Sequence, residues 1–208
     1  MRTLCIDTSD QAVLTVVEDG VVTGHAVEPH PRRHAESLGV LLQHALDARP
    51  DEGGVAVDRI CVGTGPGPYT GLRAGLAFAT ALGRALDVPV LGIPSQEALA
   101  RGALDSLEEE VGAGVLVTSD AKRGEVYWGI YRSLGANDVV AVVGPNVGPL
   151  EEAHEAALAA GVSVTEATID PAVFVRIADS RLERDCRTEF PLEPLYLRRP
   201  DVNVKGAK

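Results

Sequence analysis

Three short apolar runs open the sequence, and the way they are joined confines the possible folds more than any other feature: they are Leu4–Ile6, Val13–Val17 and Val21–Val27, with Asp19-Gly20 between the second and third. Asp-Gly supplies the positive φ angles that a two-residue turn requires, so the second and third runs are predicted as a β-hairpin. A loop with Pro29 and Pro31 follows, and the period then changes. Leu38, Leu41, Leu42, Ala45 and Leu46 recur at helical spacing between His34 and Ala48. Arg59–Gly63 reads as a buried strand, residues 72–86 as a helix, Val88–Ile93 as a strand, and Ser95 as the start of a further helix.

Antiparallel-type strands followed by alternating helices and strands give a ribonuclease-H-like α/β unit, a mixed sheet flanked by helices. One such unit ends near residue 100, and from Val115 the pattern begins again. Val115–Asp120 is strand-like, a short turn follows, and Glu125–Tyr131 is a second strand. Thr-Ser-Asp stands at 8–10 and again at 118–120, each time at the end of an apolar run. The chain is therefore expected to hold a duplicated unit, an N-terminal domain over residues 1–101 and a smaller C-terminal domain over 102–208, with a cleft between their first hairpins. In the second half, Val139–Val143 reads as a strand, Leu150–Ala160 as a helix ending at Gly161, and Ala172–Arg184 as a helix after Pro171. Prolines interrupt Pro191–Pro200, which reads as an extended segment lying on the body, and Asn203–Lys208 reads as disordered.

With 45% hydrophobic and 24% charged residues the chain can bury a real core. Its 30 acidic against 19 basic side chains, a formal charge of −11, repel phosphate backbones and acidic membrane surfaces. That balance argues against autonomous nucleic-acid binding through a broad basic face. The opening Met1–Asp7 lacks the apolar core and cleavage site of a signal peptide, and no apolar stretch reaches membrane-spanning length, so a cytoplasmic protein without a membrane partner is expected. Cys5, Cys61 and Cys186 form no CxxC pair, and the first two sit in apolar strands as buried, inert thiols.

The glycine-rich turn Thr64–Gly71 lies between a strand and a helix, where backbone N–H groups and a helix N-terminus can receive an anion. Its spacing is neither the dinucleotide GxGxxG nor a Walker A loop, and two prolines remove donors. It reads as a nucleotide-phosphate cradle or as a rigid structural or partner-facing turn. Asp7-Thr8-Ser9 offers a carboxylate at a strand end, a position open to a catalytic reading and to plain turn capping. If a nucleotide binds, the candidates are Asp7, Thr8, Ser9, Gly65, Gly67 and Gly71. The helix after the turn is apolar nearly all round and rich in small residues, so it is either sandwiched inside one domain or part of a protein–protein interface. The interface candidates are Leu38, Leu41, Leu42, Leu72, Arg73, Gly75, Leu76, Ala77, Ala79, Thr80 and Gly83. His30 and His34 have no acidic partner nearby, and no metal site is expected. Asp120–Trp128 mixes charges of both signs in a turn and reads as a solvated, salt-bridged hairpin. No GxSxG elbow or Ser, His and Asp set is evident.

At Gly65-Pro66-Gly67-Pro68-Tyr69-Thr70-Gly71-Leu72-Arg73-Ala74-Gly75 the sequence closely resembles the bacterial TsaB (YeaZ) family, the tRNA threonylcarbamoyladenosine biosynthesis proteins. The family's usual motif reads Gly-Pro-Gly-Ser-Phe-Thr-Gly-Leu-Arg, so Pro68 and Tyr69 depart from it. Further matches are Cys5–Ser9, His34–Leu38, Asp120–Tyr127 and Pro194–Arg198, whereas residues 132–190 contribute little. The resemblance implies a duplicated actin-like/Hsp70-like ATPase (ASKHA) fold and a non-catalytic scaffold or activator role in t6A synthesis. The implied partners are a TsaD-like catalytic subunit, a TsaE-like ATPase, and a second copy of the chain when alone, with tRNA reached only through the complex. No cofactor is then required by the chain itself, and a partner interface is the place left open for ATP. Two other classes stay open, a stand-alone ATP-dependent ASKHA enzyme using Asp7 and the glycine loop, and a glycoprotease-like peptidase. A metallopeptidase would need an HExxH-type ligand set, which the sequence lacks.

Overall fold

The computed structural model describes residues 1–28, 34–46, 56–107, 113–164, 168–185 and 190–198. Pro29, His30, Pro31, Ala48, Cys186 and the segment 199–208 lie outside the described residues, as does the side chain of His34. The first sheet is built from β1 (Arg2–Asp7), β2 (Ala12–Glu18), β3 (Val21–Glu28), β4 (Arg59–Gly63) and β5 (Val90–Ile93) in the order β3-β2-β1-β4-β5. The β1/β2 and β2/β3 pairs are antiparallel, and β1/β4 and β4/β5 are parallel. Asp19 (φ 49) and Gly20 (φ 81) turn β2 into β3 in the left-handed conformation that Asp-Gly was expected to provide.

The second sheet repeats this plan. Its strands are β6 (Gly114–Asp120), β7 (Val126–Leu134), β8 (Asp138–Gly148) and β9 (Ser163–Val164), in the order β8-β7-β6-β9. The pairs β6/β7 and β7/β8 are antiparallel and β6/β9 is parallel, so in each sheet the third, second, first and fourth strands stand side by side. This is the duplicated ribonuclease-H-like architecture of the actin-like/Hsp70-like fold. β8 extends five residues beyond the expected Val143, to Gly148.

Helices α1 (His34–Leu46), α2 (Tyr69–Leu86), α3 (Ser95–Ser106), α4 (Leu150–Ala160) and α5 (Val173–Glu183) cover the sheets. α1 and α2 pack Leu38, Leu41, Ala45, Leu76 and Ala79 on one face of the first sheet against Leu4, Ile6, Leu14, Ile60 and Val62. α5 closes the opposite face, with Phe174 and Ile177 over Cys5, Cys61 and Ile93, which leaves both cysteines fully buried. α3 follows β5 in sequence yet buries Leu99, Ala103 and Leu104 against Val115, Val117 and Tyr131 of the second sheet. α4 covers that sheet's other face at Leu116, Trp128 and Ile130. Each half thus lends a helix to the other, and residues 101 and 102 fall inside α3.

Packing explains the composition of α2 in a way its sequence did not reveal. A Cβ on Gly75 would stand 2.2 Å from Thr8 Oγ1, so this glycine lets the helix lie directly on the end of β1. Leu38, Leu41, Leu72, Gly75, Leu76, Ala79 and Gly83, seven of the residues expected at a partner interface, are buried within the chain's own fold. They follow the i, i+3, i+4 stripe that faces the first sheet. Leu42 and Thr80 are half-buried, while Arg73 and Ala77 are exposed, so the outer face of α1 and α2 is carried by a narrower set.

Candidate functional site

The end of β1, the glycine turn after β4 and the start of α3 meet at one carboxylate. Asp7 is 1% exposed. Its Oδ1 accepts hydrogen bonds from the Ser9 N–H (2.8 Å) and Ser9 Oγ (2.6 Å), and its Oδ2 accepts one from Ser95 Oγ (2.6 Å). Ser95 Oγ in turn accepts the Gly65 N–H at 3.2 Å, and Thr8 Oγ1 donates to the Gly71 carbonyl at 2.9 Å. Burial pushes the Asp7 carboxyl above its ordinary range, and the hydrogen bonds from Ser9 and Ser95 pull against that rise.

The glycine turn is shaped by this packing. The Gly65-Pro66 peptide is cis, Gly65 has φ 99, and a Cβ on Gly67 would meet the Ser9 carbonyl oxygen at 2.6 Å. Of the residues nominated for nucleotide phosphates, Asp7, Thr8, Ser9, Gly65, Gly67 and Gly71 are all buried against one another. The Gly65 N–H, which would have to point into a phosphate cradle, is used by Ser95.

Two clefts flank this junction. In the first, of about 240 Å³, Asp10 of the first Thr-Ser-Asp copy lies across from Thr118, Ser119 and Asp120 of the second. The repeat seen in the sequence therefore does face itself across a gap. Asp7, Asp10 and Asp120 line that gap, and none of the described residues on its walls is basic. Its volume falls below the roughly 300–1,000 Å³ of typical small-molecule pockets. Among the described residues no group of three or more His, Cys, Asp or Glu side chains could hold a metal ion.

The second cleft, of about 210 Å³, has a different character. Gly67, Pro68 and Tyr69 form one wall, the β6–β7 turn at Asp120–Arg123 with Tyr127 the second, and Tyr196–Arg198 the third. Tyr69 and Tyr196 stack with ring centroids 4.6 Å apart. The Arg73 guanidinium lies 4.0 Å from the Tyr69 centroid, and its Nε donates to the Tyr196 hydroxyl at 3.0 Å. The β6–β7 turn is the salt-bridged hairpin expected from the sequence. Lys122 Nζ reaches Asp120 Oδ2 at 2.5 Å, and Lys122, Arg123 and Gly124 have φ of 64, 61 and 77. The hydrogen bond from Lys122, reinforced by its charge, holds the Asp120 carboxyl below its ordinary range.

The segment 190–198 lies extended on the body, as its prolines suggested. The Leu195 N–H donates to the Thr64 carbonyl at 2.8 Å, and Arg198 donates to the Ala121 carbonyl at 3.0 Å while pairing with Glu125. Neither Tyr69 nor Tyr196 was nominated as a site residue. Both stand in segments that carry the family resemblance, but no local spacing rule joins residues 127 positions apart in sequence.

The sequence matches the family TsaD, tRNA N6-adenosine threonylcarbamoyltransferase, over residues 15–172, more than half of the chain. An uncharacterized protein of Mycobacterium tuberculosis (strain ATCC 25618 / H37Rv) is 38% identical over 96% of this chain and 92% of its own length. The tRNA threonylcarbamoyladenosine biosynthesis protein TsaB of Escherichia coli K12 is 32% identical over 64% of this chain and 55% of that protein. The chain thus spans about half the length of that TsaB relative. YeaZ from Pseudomonas aeruginosa has the same fold, with a TM-score of 0.70 over 94% of this chain and all of that one at 23% identity.

Proposed function

We propose, from the family of TsaD and its relative TsaB (YeaZ) to which the chain belongs, that the protein takes part in tRNA threonylcarbamoyladenosine biosynthesis as a non-catalytic scaffold or activator subunit. In this reading it pairs with a TsaD-like catalytic subunit, a TsaE-like ATPase joins the pair, and a second copy of the chain takes the partner's place when it is alone. tRNA is engaged by the assembly. The chain carries no cofactor of its own, and ATP enters with the partners.

The observation that carries this reading is the state of Asp7. A stand-alone ATP-dependent enzyme on this fold would need the carboxylate at the end of β1 and the glycine turn to face substrate. Here Asp7 borders the first cleft but is 1% exposed and accepts three hydrogen bonds from Ser9 and Ser95, and the Gly65 N–H goes to Ser95. Groups committed to one another in this way hold a shape and leave the chemistry to another subunit. The surface that supports pairing is the outer face of α1 and α2, where Val40 is 51% exposed and Arg73 and Ala77 face outward beside half-buried Leu42, Phe78 and Thr80. A small residue at 77 lets a partner helix approach closely.

The test is sedimentation of the protein alone and mixed with the TsaD-type subunit of the same organism, with and without ATP. A discrete heteromeric species whose threonylcarbamoylation of tRNA requires this chain is expected. Absence of association under both conditions, together with saturable ATP binding by the isolated chain that disappears in Asp7→Asn, would favour the stand-alone enzyme.

A further inference from the structure

The second cleft gathers chemistry that the scaffold role leaves unused. Three of the chain's four tyrosines, Tyr69, Tyr127 and Tyr196, line it, and so do the cations Lys122, Arg123 and Arg198, with Arg73 directly behind the stacked rings. Asp120 also lines it and pairs with Lys122, and Arg198 pairs with Glu125, but the cations still outnumber the carboxylates, a local reversal of sign in a chain of net charge −11. It is assembled from three remote segments: the β4–α2 turn, the β6–β7 turn and the extended residues near the C-terminus. The parts are held in place. Asp120 accepts the Lys122 N–H at 2.7 Å, Arg198 anchors to the Ala121 carbonyl and to Glu125, and Arg73 orients the Tyr196 ring.

Aromatic rings beside guanidinium and ammonium groups suit a ligand that is both planar and anionic, which describes a nucleotide. An acidic peptide would use the cations and waste the rings. At about 210 Å³ the cleft is too small to enclose a free nucleotide with its sugar and phosphates, so it suits one residue of a strand whose neighbours lie outside. We infer that this cleft receives one unstacked nucleotide of single-stranded RNA, its base against the half-buried Tyr69–Tyr196 stack and its phosphate beside Lys122, Arg123 and Arg198. The acidic remainder of the surface confines the contact to this point. The inference deepens the tRNA-modification reading, on which it rests for the identity of the RNA, by giving this chain a direct contact of its own.

The test is fluorescence anisotropy of a labelled RNA stem-loop with a single-stranded loop, titrated at low salt with the full chain and with three variants. Arg123→Glu reverses an exposed charge in the cleft, Arg132→Glu makes the same charge change at an exposed position on β7, and Tyr196→Ala removes one ring. Expected results are affinity that falls with added salt, a loss of about fivefold or more for Arg123→Glu and for Tyr196→Ala, and a change within about twofold for Arg132→Glu. Tyr196→Phe, which keeps the ring, restores affinity to within about twofold, and unchanged melting temperatures show that the fold is intact.

Equal losses for Arg123→Glu and Arg132→Glu, wild-type affinity for Tyr196→Ala, or no binding at low salt would overturn the inference. So would displacement of the RNA by AMP at concentrations matching its nucleotide content, which would assign the cleft to a free nucleotide, or by an oligoglutamate peptide, which would assign it to an acidic chain. Association with the TsaD-type subunit is measured on the same preparations. If association holds while the RNA response fails, only this inference falls; if the RNA response holds while association fails, the scaffold reading falls alone.

Discussion

Replacing Asp7 by alanine separates a structural from a catalytic carboxylate. In the wild-type protein Asp7 satisfies three buried donors, the Ser9 N–H, the Ser9 hydroxyl and the Ser95 hydroxyl. Ser9 is 6% exposed and Ser95 1%, so in the folded protein these donors depend on the carboxylate, and only the side of Asp7 that borders the first cleft admits water after truncation. An orphaned buried donor costs about 1–3 kcal/mol. The two hydroxyls can rotate toward other acceptors, but the Ser9 N–H is fixed by the backbone, and removing a buried charge returns part of the loss. A net cost of about 1–3 kcal/mol follows. In a chain of this length each kcal/mol lowers Tm by roughly 2–4 °C, so Asp7→Ala is expected to melt about 2–12 °C below the wild type at pH 7. Calorimetry with ATP, run in parallel, reads the competing role. A Tm within about 2 °C of wild type, with ATP binding present before the substitution and absent after it, would refute the structural argument.

The pH dependence supplies an independent check. Burial raises the folded-state pKa of Asp7 above its unfolded value of about 3.9. The folded protein therefore holds this proton more tightly. The stability that follows is fully present below the unfolded value and is lost as pH rises through the folded one. Asp7→Asn cannot titrate at this position, so the stability of the wild type relative to Asp7→Asn should decline as pH rises from 4 toward 7. Urea midpoints at matched pH measure it, and a difference that grows with pH would contradict the burial of the charge.

Other substitutions test the remaining parts of the fold. Arg181 on α5 donates to Asp138 at 2.9 Å and to Glu97 at 2.6 Å, joining α5 to β8 and α3; Arg184 also pairs with Asp138 and remains after Arg181→Ala, so the substitution should cost about 1–3 kcal/mol in urea denaturation. Gly67→Ala places a methyl 2.6 Å from the Ser9 carbonyl oxygen, so the turn must shift and calorimetry should show a lower Tm. Ala77→Arg, at an exposed position of α2, should leave Tm within about 2 °C while abolishing sedimentation with the TsaD-type subunit. Ala79→Arg, at a position 0% exposed, should instead unfold the chain, and circular dichroism distinguishes the two.

Much of this architecture was legible in the sequence because the signals are local. The Asp19-Gly20 hairpin, the helical spacing from Leu38 to Leu46 and the stop at Gly161 each follow from residues a few positions apart, and the two Thr-Ser-Asp copies announced the second sheet. The glycine turn was recognised as special, but its reason was not, since the atom that Gly67 must avoid belongs to Ser9. Seven of the residues expected at a partner interface cover the chain's own sheet, for a similar cause. A helix apolar on all sides has to be covered, and sequence alone does not say how much of the cover comes from its own sheet.

What the sequence determined by itself was the order of elements, the repeat and the segments that resemble TsaB, because backbone propensity, amphipathic period and turn chemistry act over a few residues. Tertiary structure decided where those segments meet. It sent α3 and α5 to opposite sheets, spent Asp7 on Ser9 and Ser95, and brought Tyr69, Lys122 and Tyr196 to one cleft. Those outcomes depend on contacts between residues far apart in the chain, where burial and hydrogen-bond satisfaction select a partner and no local pattern records it.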